Sequence, residues 1–241
     1  MKQQEDESRA GASMVDQLIP LLSGCPPFAY MSREDIEAFA RAGRAVEVPR
    51  GASIFHEQEE SDAVLVVLEG VAYICSFEAD GAQVIEAVLA PVESFAWFSV
   101  VDPAERSFSA VMRNGGRLLL IPKQEVNRIL DSSPGAWRAV ARFLAVRLRR
   151  TLSTHRALAG FPMDRKIAFI LCQTFRVGVP GSTPLSELQL SQDDIASMAS
   201  VSRQSVNRQL KRWEDLGILH IRYGKLTLLD AAALRDIAFA R

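Results

Sequence analysis

Cysteine and histidine are both scarce in this 241-residue chain, which contains three of each. No CxxC pair and no Cys/His spacing typical of metal ligands occurs, so zinc and iron–sulfur sites are not expected. The cysteines are interpreted as reduced structural thiols. The sequence also lacks a nucleophile–base set and a framed pair of carboxylates, which argues against an enzyme. The scarce residues are Cys25, Cys75, Cys172, His56, His155 and His220.

Long apolar runs are missing as well, so no segment is expected to span a membrane. The first residues are polar and acidic, unlike the basic and then apolar start of a signal peptide. We therefore expect a cytoplasmic protein in which residues 1–15 form a disordered tail. The net charge is only −1, so any affinity for nucleic acid has to come from local basic patches.

The most informative stretch is Ser191–Trp213, which predicts two short helices joined by a tight turn. Ser191 and Asp194 form a capping box at the first helix, and Ser202 is placed to cap the second. Residues at helical spacing would form the buried back of the second helix, namely Val206, Leu210 and Trp213. Its front offers side chains that can hydrogen-bond to base edges in a major groove. These candidate base-reading residues are Arg203, Gln204, Ser205, Asn207 and Arg208.

A β-hairpin is predicted directly after the second helix. Ile218–Arg222 and Leu226–Leu229 are apolar-rich strand candidates, and Tyr223–Lys225 would be the turn between them. Two helices and a hairpin in this order indicate a winged helix-turn-helix. The plainer alternative, an ordinary surface pair of helices with a solvated basic face, does not account for the hairpin.

The middle of the chain, from about residue 45 to residue 122, consists of short apolar or alternating runs divided by Asp-Gly, Asn-Gly and Pro turns. The Asp-Gly and Asn-Gly turns favour hairpins because those turns need positive φ angles. Many short strands at this spacing predict a β-roll or jelly roll, so the fold class is α+β. Residues 16–132 would form this roll domain with its flanking short helices.

A long helix is predicted from Ser133 to Gly160. Apolar and polar residues recur at 4,3 spacing over about three heptads, the period of a coiled coil. The seam residues are Trp137, Ala141, Leu144, Leu148, Thr151, His155 and Leu158. We favour a dimerisation seam over residues 133–160, and the alternative is a helix packed on its own domain. Gly160–Pro162 would break this helix, and residues 161–241 would form the DNA-binding domain.

This order of elements resembles the Crp/Fnr family of bacterial transcription regulators over roughly Asp16–Ala240. The motifs that carry the resemblance include RGASIF at 50–55, VLEGV at 67–71 and SQDDIA at 191–196. The most specific motif is VSRQSVNR at 201–208. The resemblance implies a homodimer that reads a pseudo-palindromic operator, works with RNA polymerase and is switched by a small effector in the roll.

The resemblance also assigns roles in DNA binding. Arg203, Gln204 and Arg208 occupy base-reading positions, although many members have Glu in place of Gln204. Ser200 occupies a turn position that is usually Gly. The residues expected to hold DNA phosphates are Ser191, Ser202, Lys211, Arg212 and Lys225.

The implied effector pocket departs from the family. Arg106 and Ser107 match the phosphate-binding cassette, and Thr151 matches a base-contacting position on the long helix. However, the Gly-Glu pair that binds phosphate and ribose reads Phe95-Ala96 in this chain. Family glycines are also replaced by Gln58 and Val92. The residues expected to line the pocket are Arg106, Ser107, Thr151, Phe95, Ala96, Trp97 and Phe98, which would make it apolar and aromatic.

Two hypotheses remain for this pocket. In the first, Arg106 meets an anionic ligand with an apolar body. A cyclic nucleotide is doubtful as that ligand, because the Gly-Glu pair reads Phe95-Ala96. In the second, Arg106 pairs with Glu93 or Glu105 and the roll binds nothing or a neutral molecule. Haem would require ligands such as Cys75 or His56. For the whole protein, the alternative to a DNA-binding regulator is a ligand-binding or protein-interaction module whose winged helix no longer reads DNA.

Overall fold

The computed structural model describes residues 14–60, 62–77, 83–102, 104–178, 184–222 and 224–240. It contains two compact units, one formed by residues up to 75 with 88–145 and the other by residues 76–87 with 146–241. The predicted disordered tail lies outside the described residues, apart from residues 14 and 15, which are helical (α1, described over residues 14–23). No helix in the described ranges has the length and apolar character needed to cross a membrane.

The predicted strand region forms two four-stranded sheets, as expected for a roll. Their orders are β1-β8-β3-β6 and β2-β7-β4-β5. The sequence predicted seven of these strands but missed β6, which has only two residues and is too short to show a period. The strands are β1 Arg44–Val48, β2 Ser53–Phe55, β3 Ala63–Glu69, β4 Ala72–Phe77, β5 Gln83–Leu89, β6 Ser94–Phe95, β7 Ser109–Met112 and β8 Gly116–Pro122.

Two predicted Gly turns meet at one end of the roll. Gly70 and Gly116 both have positive φ, and a Cβ on either would collide with the backbone of the other turn. Asn114 accepts a hydrogen bond from the Val71 N–H at 2.8 Å and so ties the two turns together. Glycine is therefore required here by both backbone conformation and close approach.

The first unit has two apolar clusters. One fills the interior of the roll between the sheets and includes Leu65, Phe95 and Met112. The other lies under the helices and joins Leu18 and Leu22 of α1 to a set of edge-to-face rings. Those rings are Phe28, Phe39, Trp97 and Phe143, with adjacent centroids 5.2–6.4 Å apart.

The helical region after the roll begins earlier in the chain than predicted. The long helix (α5, Pro134–Gly160) is preceded by α4, Lys123–Ser132, which the sequence analysis missed. The N-cap of α4, Pro122, provides no side-chain hydrogen bond, so the capping signal that marks other helices is absent. Two further helices complete the unit, α2 at Arg33–Ala42 and the short α3 at Phe98–Val101.

The second unit contains the predicted winged helix-turn-helix. The predicted break after Gly160 is confirmed, since α5 ends there and the next helix begins at Met163. A third, unpredicted strand joins the hairpin, giving the order β10-β11-β9. The elements are α6 Met163–Thr174, β9 Glu187–Gln189, α7 Gln192–Ala199, α8 Arg203–Asp215, β10 Leu219–Arg222, β11 Lys225–Leu228 and α9 Ala231–Phe239.

Candidate nucleic-acid interface and ligand pocket

The first helix of the predicted pair is fixed by its own cap. The Ser191 hydroxyl accepts a hydrogen bond from the Asp194 N–H at 3.1 Å, and the Asp194 carboxylate accepts one from the Ser191 N–H at 2.8 Å. This reciprocal pair confirms the predicted capping box. It satisfies two backbone donors at the start of α7 that the helix itself cannot pair.

The turn between α7 and α8 depends on Ser200. Its φ of 52° and ψ of 49° place it in the left-handed region, where glycine is the favoured residue. In the family that the sequence resembles this position is usually Gly, and the left-handed conformation explains that preference. Ser200 is exposed, so its side chain does not offset the cost of that conformation by burial.

The second helix has the predicted amphipathic pattern. Ser202 caps it by accepting a hydrogen bond from the Ser205 N–H at 3.2 Å. Val206, Leu210 and Trp213 are at most 2% exposed. Because these three residues face the core, the opposite side of α8 is presented to solvent.

The exposed side of α8 contains three of the five candidate base-reading residues, Arg203, Gln204 and Arg208. The other two are half-buried and engaged locally. Ser205 bonds to the Ser202 hydroxyl at 3.0 Å, and Asn207 accepts a hydrogen bond from the Gln192 side chain at 3.3 Å. Two further cations, Lys211 and Arg212, extend the exposed face toward the end of the helix. We name this exposed side of α8 the reading face.

Two cations of the predicted DNA-binding surface are paired with acids for which no role was predicted. Arg203 lies 3.6 Å from Asp193 (Nε to Oδ1). Lys225, on the wing, forms an ion pair with Glu187 of β9. Asp193 could have been noticed, since it adjoins the acid that forms the capping box and has no capping role itself. Glu187 gave no such signal, because β9 was not predicted.

The wing is attached to the end of α8 through Glu214. Its carboxylate accepts a hydrogen bond from the Ile221 N–H at 2.9 Å and lies 2.9 Å from His220 Nδ1. The predicted strands are confirmed as β10 and β11, paired from Leu219–Leu228 to Arg222–Lys225. Tyr223, in the predicted turn, lies outside the described residues.

Arg106 is the one arginine of the roll that the structure buries among the described residues, with its side chain 5% exposed. The guanidinium stacks 3.8 Å above the Phe55 ring, and one terminal nitrogen lies 3.5 Å from Asp62. Its Nε is buried and has no hydrogen-bond partner among the described residues. Burial lowers the pKa of this guanidinium, while the carboxylates of Asp62 and Glu59 oppose that shift.

The acids beside Arg106 differ from those predicted. The Gln58 N–H donates to the Arg106 carbonyl at 2.8 Å, and the Arg106 N–H donates to the Glu59 carbonyl at 3.1 Å. This backbone pairing brings Glu59 and Asp62 to the arginine. The predicted partners Glu93 and Glu105 are wrong; the Glu93 carboxylate instead accepts a hydrogen bond from the Ala90 N–H at 2.9 Å.

The residues predicted to line an aromatic pocket, from Phe95 to Phe98, lie in different environments. Phe95 is buried inside the roll with its centroid 6.0 Å from that of Phe55, the ring under Arg106. Trp97 turns the other way, into the cluster under the helices, where its indole N–H donates to Ser94 at 2.8 Å. Phe98 is 62% exposed on α3. Trp97 therefore belongs to the core and does not line the space beside Arg106.

Backbone conformation also revises the position of the missing glycine. Gln58, Val92 and Ala96 all have φ between 66° and 68°, so the two other predicted glycine positions are confirmed as left-handed. In the third case the left-handed residue is Ala96 rather than Phe95, which lies in β6 and pairs with Leu65. Trp97 follows this left-handed residue. Neither Ala96 nor Trp97 supplies the carboxylate that the family's Gly-Glu pair would provide.

The remaining candidates lie on exposed surface. Ser107 follows Arg106 and is exposed, and Thr151 is exposed on α5. Their proposed contacts with an effector stay predictions.

The predicted seam on α5 divides into two parts. Trp137 and Leu144 are half-buried against the cluster under the helices, so they serve their own unit, as the alternative interpretation held. Beyond residue 145 the seam is open. Leu148 is 61% exposed, and the seam residues Thr151 and His155 are exposed as well. Leu152, which is not one of the predicted seam residues, follows Thr151 and is 57% exposed. Ala141 is exposed as well, and Leu158 is half-buried.

Two family models match the chain. A model described as a Crp-like helix-turn-helix domain matches residues 165–237, and a model described as a cyclic nucleotide-binding domain matches residues 45–133.

Curated proteins and solved structures give similar matches. The cyclic AMP receptor protein of Thermus thermophilus is 26% identical over 218 residues, which cover 90% of this chain and 99% of that protein. The nitrogen fixation regulation protein FixK of Azorhizobium caulinodans is 28% identical over 212 residues, which cover 86% of this chain and 84% of that protein. FixK2 of Bradyrhizobium japonicum has a TM-score of 0.70 at 19% identity, covers 83% of this chain and 98% of its own, and supports the fold.

Proposed function

This chain is a member of the Crp/Fnr family of DNA-binding transcription regulators, and from that premise we propose that it acts as a homodimer on a pseudo-palindromic operator under the control of a small effector. The reading face of α8 carries this proposal. Arg203, Gln204 and Arg208 are exposed above a fully buried back, on a helix whose start is capped. A bidentate arginine–guanine contact is the most common specific contact in a major groove, worth about 1–3 kcal/mol.

Selection of bound duplexes from a random library by the full-length chain tests the DNA-reading role. We expect an inverted repeat whose half-sites are about 34–36 Å apart, one turn of the double helix. Arg208→Ala should relax selection at one base position in each half-site, with a loss of about 5- to 150-fold there. Arg235→Ala, on α9, removes the same charge away from the reading face and is the control. Equal weakening by Arg208→Ala on every sequence would refute base reading, and no binding at all would favour the interaction-module alternative.

The exposed residues of α5 beyond residue 145 support the proposed homodimer. Leu148 and Leu152 are one helical turn apart and both more than half exposed, with Thr151 beside them. Apolar residues that recur on one side of a helix at this spacing bury well against a second helix. Two copies joined along this part of α5 would present two reading faces, which is what an operator with two half-sites requires.

The state of Arg106 supports an anionic effector. A buried guanidinium with an unpaired Nε is costly unless an acceptor completes it, and the exposed Asp62 approaches it only at 3.5 Å. An anionic ligand group placed against Nε would supply that acceptor and stack beside Phe55. A cyclic nucleotide fits less well, since Phe95, Ala96 and Trp97 offer no carboxylate for the free ribose hydroxyl. The Thermus relative is named for cyclic AMP, and we propose a different small anion for this chain.

Thermal melts of the purified protein with cyclic AMP, cyclic GMP and a panel of carboxylate and phosphate metabolites test this assignment. A ligand at one hundred times its Kd should stabilise the folded state by about 2.7 kcal/mol. Arg106→Gln should abolish the shift. Arg117→Gln, at a half-buried arginine of β8 that pairs with Glu47 and Glu69 outside the Arg106 site, should keep it. A shift by cyclic AMP that depends on Arg106 would contradict the proposed ligand class. No shift by any anion would indicate a roll without an effector.

A further inference from the structure

The contact between Arg203 and Asp193 crosses from the reading helix to the helix before it. Asp193 stands in the first turn of α7, and both side chains of the pair are 66% exposed. The carboxylate approaches the guanidinium at Nε, 3.6 Å away. Approach at Nε leaves the two terminal nitrogens at the far end of the planar fork, and these can face guanine O6 and N7 end-on.

The two classes of DNA contact respond differently to this carboxylate. Binding to random DNA depends on cations that neutralise phosphates. An acid next to Arg203 offsets the charge of the arginine and repels the phosphates, so it weakens binding to random DNA. The guanine edge is a pair of neutral acceptors, and a guanidinium held by Asp193 can still donate to it. An ion pair this exposed is weak in itself, so its effect is expected in DNA binding rather than in folding.

We propose that Asp193 is a specificity-determining residue that acts through Arg203. It holds the arginine by Nε and penalises phosphate contacts on non-operator DNA. This inference rests on the DNA-reading function proposed above. The capping box does not require Asp193, because Asp194 forms both of its hydrogen bonds.

Asp193→Asn removes the charge and keeps the shape of the side chain. The chain offers a matched control in Asp236→Asn. Asp236 is also an exposed aspartate beside an arginine of the same unit, 3.9 Å from Arg235, but it lies on α9. The two variants change the net charge equally. The full-length protein is titrated by fluorescence anisotropy with the selected operator and with a shuffled duplex, at several salt concentrations.

We expect Asp193→Asn to bind the shuffled duplex more tightly, with a slope of log K against log salt steeper by about 0.9. A slope steeper by that amount means that the affinity advantage of Asp193→Asn over wild type on the shuffled duplex shrinks about 3.5-fold between 50 and 200 mM salt. The ratio of operator to shuffled affinity should fall. In an Arg203→Gln background, Asp193→Asn should have no more effect than Asp236→Asn, because the arginine through which it acts is gone.

Three outcomes would overturn the proposal. If Asp193→Asn leaves the affinity ratio unchanged, or if Asp236→Asn lowers it equally, Asp193 does not determine specificity. If the effect of Asp193→Asn survives in the Arg203→Gln background, it does not act through the arginine. A wild-type chain that binds the selected and shuffled duplexes equally would overturn both this inference and the DNA-reading function.

Discussion

Replacing Ser200 with glycine should stabilise the protein. Ser200 adopts a left-handed conformation at φ 52°, which costs an L-residue about 1–2 kcal/mol. Glycine adopts it freely but adds about 0.4–1 kcal/mol of conformational entropy to the unfolded chain. Because Ser200 is exposed, little packing is lost. The balance predicts a gain of about 0.5–1 kcal/mol, which corresponds to a rise in Tm of about 1–4 °C for a chain of this size.

The same substitution two residues later should have the opposite sign. Ser202 has φ −72°, and its hydroxyl accepts the Ser205 N–H at the start of α8. Ser202→Gly therefore removes a cap without relieving strain and should cost a few tenths of a kcal/mol. Urea denaturation of both variants, followed by circular dichroism with comparison of the m-values, measures the two changes. A Ser200→Gly protein that is no more stable than wild type would refute the strain argument.

Three further predictions follow from burial and charge. Burial raises the pKa of the Cys172 thiol from 9.0 to about 12. The stability that this shift contributes is fully present below pH 9.0 and should be lost as the pH rises toward 12. The loss of stability over this pH range should be shallower in Cys172→Ala. Glu187→Gln frees Lys225 for phosphate contact, and should tighten binding to operator and shuffled DNA equally, with a salt slope steeper by about 0.9 in both. Changing both Leu148 and Leu152 to Glu should dissociate the dimer in analytical ultracentrifugation, because two carboxylates would face the partner helix.

Each of these predictions has a contrary result. A stability profile of Cys172→Ala that parallels wild type through this pH range would show that the thiol proton has no influence. A change in the operator-to-shuffled ratio on Glu187→Gln would mean that Lys225 reads bases. Leu216→Glu is the control for the helix variant, since Leu216 is 63% exposed outside α5. Dissociation by that control, or an intact dimer in the double variant, would contradict the seam.

Local signals in the sequence were sufficient to predict the winged helix-turn-helix. The capping residues Ser191 and Ser202, the apolar spacing through Trp213 and the turn at Ser200 all act within a few residues, so each is visible in the linear chain. Two of the elements that were missed lack such signals. Lys123–Ser132 has no side-chain cap, and β6 is too short to establish a period.

Contacts between distant residues were beyond the sequence. Trp97 and Phe95 are two positions apart, yet one packs under the helices and the other inside the roll, because the left-handed Ala96 between them turns the chain. The partners of Arg106 likewise depend on a backbone pairing with residues more than 40 positions earlier. Nothing in the local pattern could choose Asp62 and Glu59 over Glu93 and Glu105.

The α+β class, the amphipathic reading helix and the order of roll, long helix and winged helix-turn-helix could be predicted from the sequence, because hydrogen-bond caps, turn conformations and apolar periods operate over neighbouring residues. The tertiary structure was needed to identify the acids beside Arg203 and Lys225 and the exposed part of the α5 seam. It was also needed to show that the buried Nε of Arg106 has no hydrogen-bond partner among the described residues. These features depend on long-range packing, in which a side chain's partner is set by how whole elements meet and not by its position along the chain.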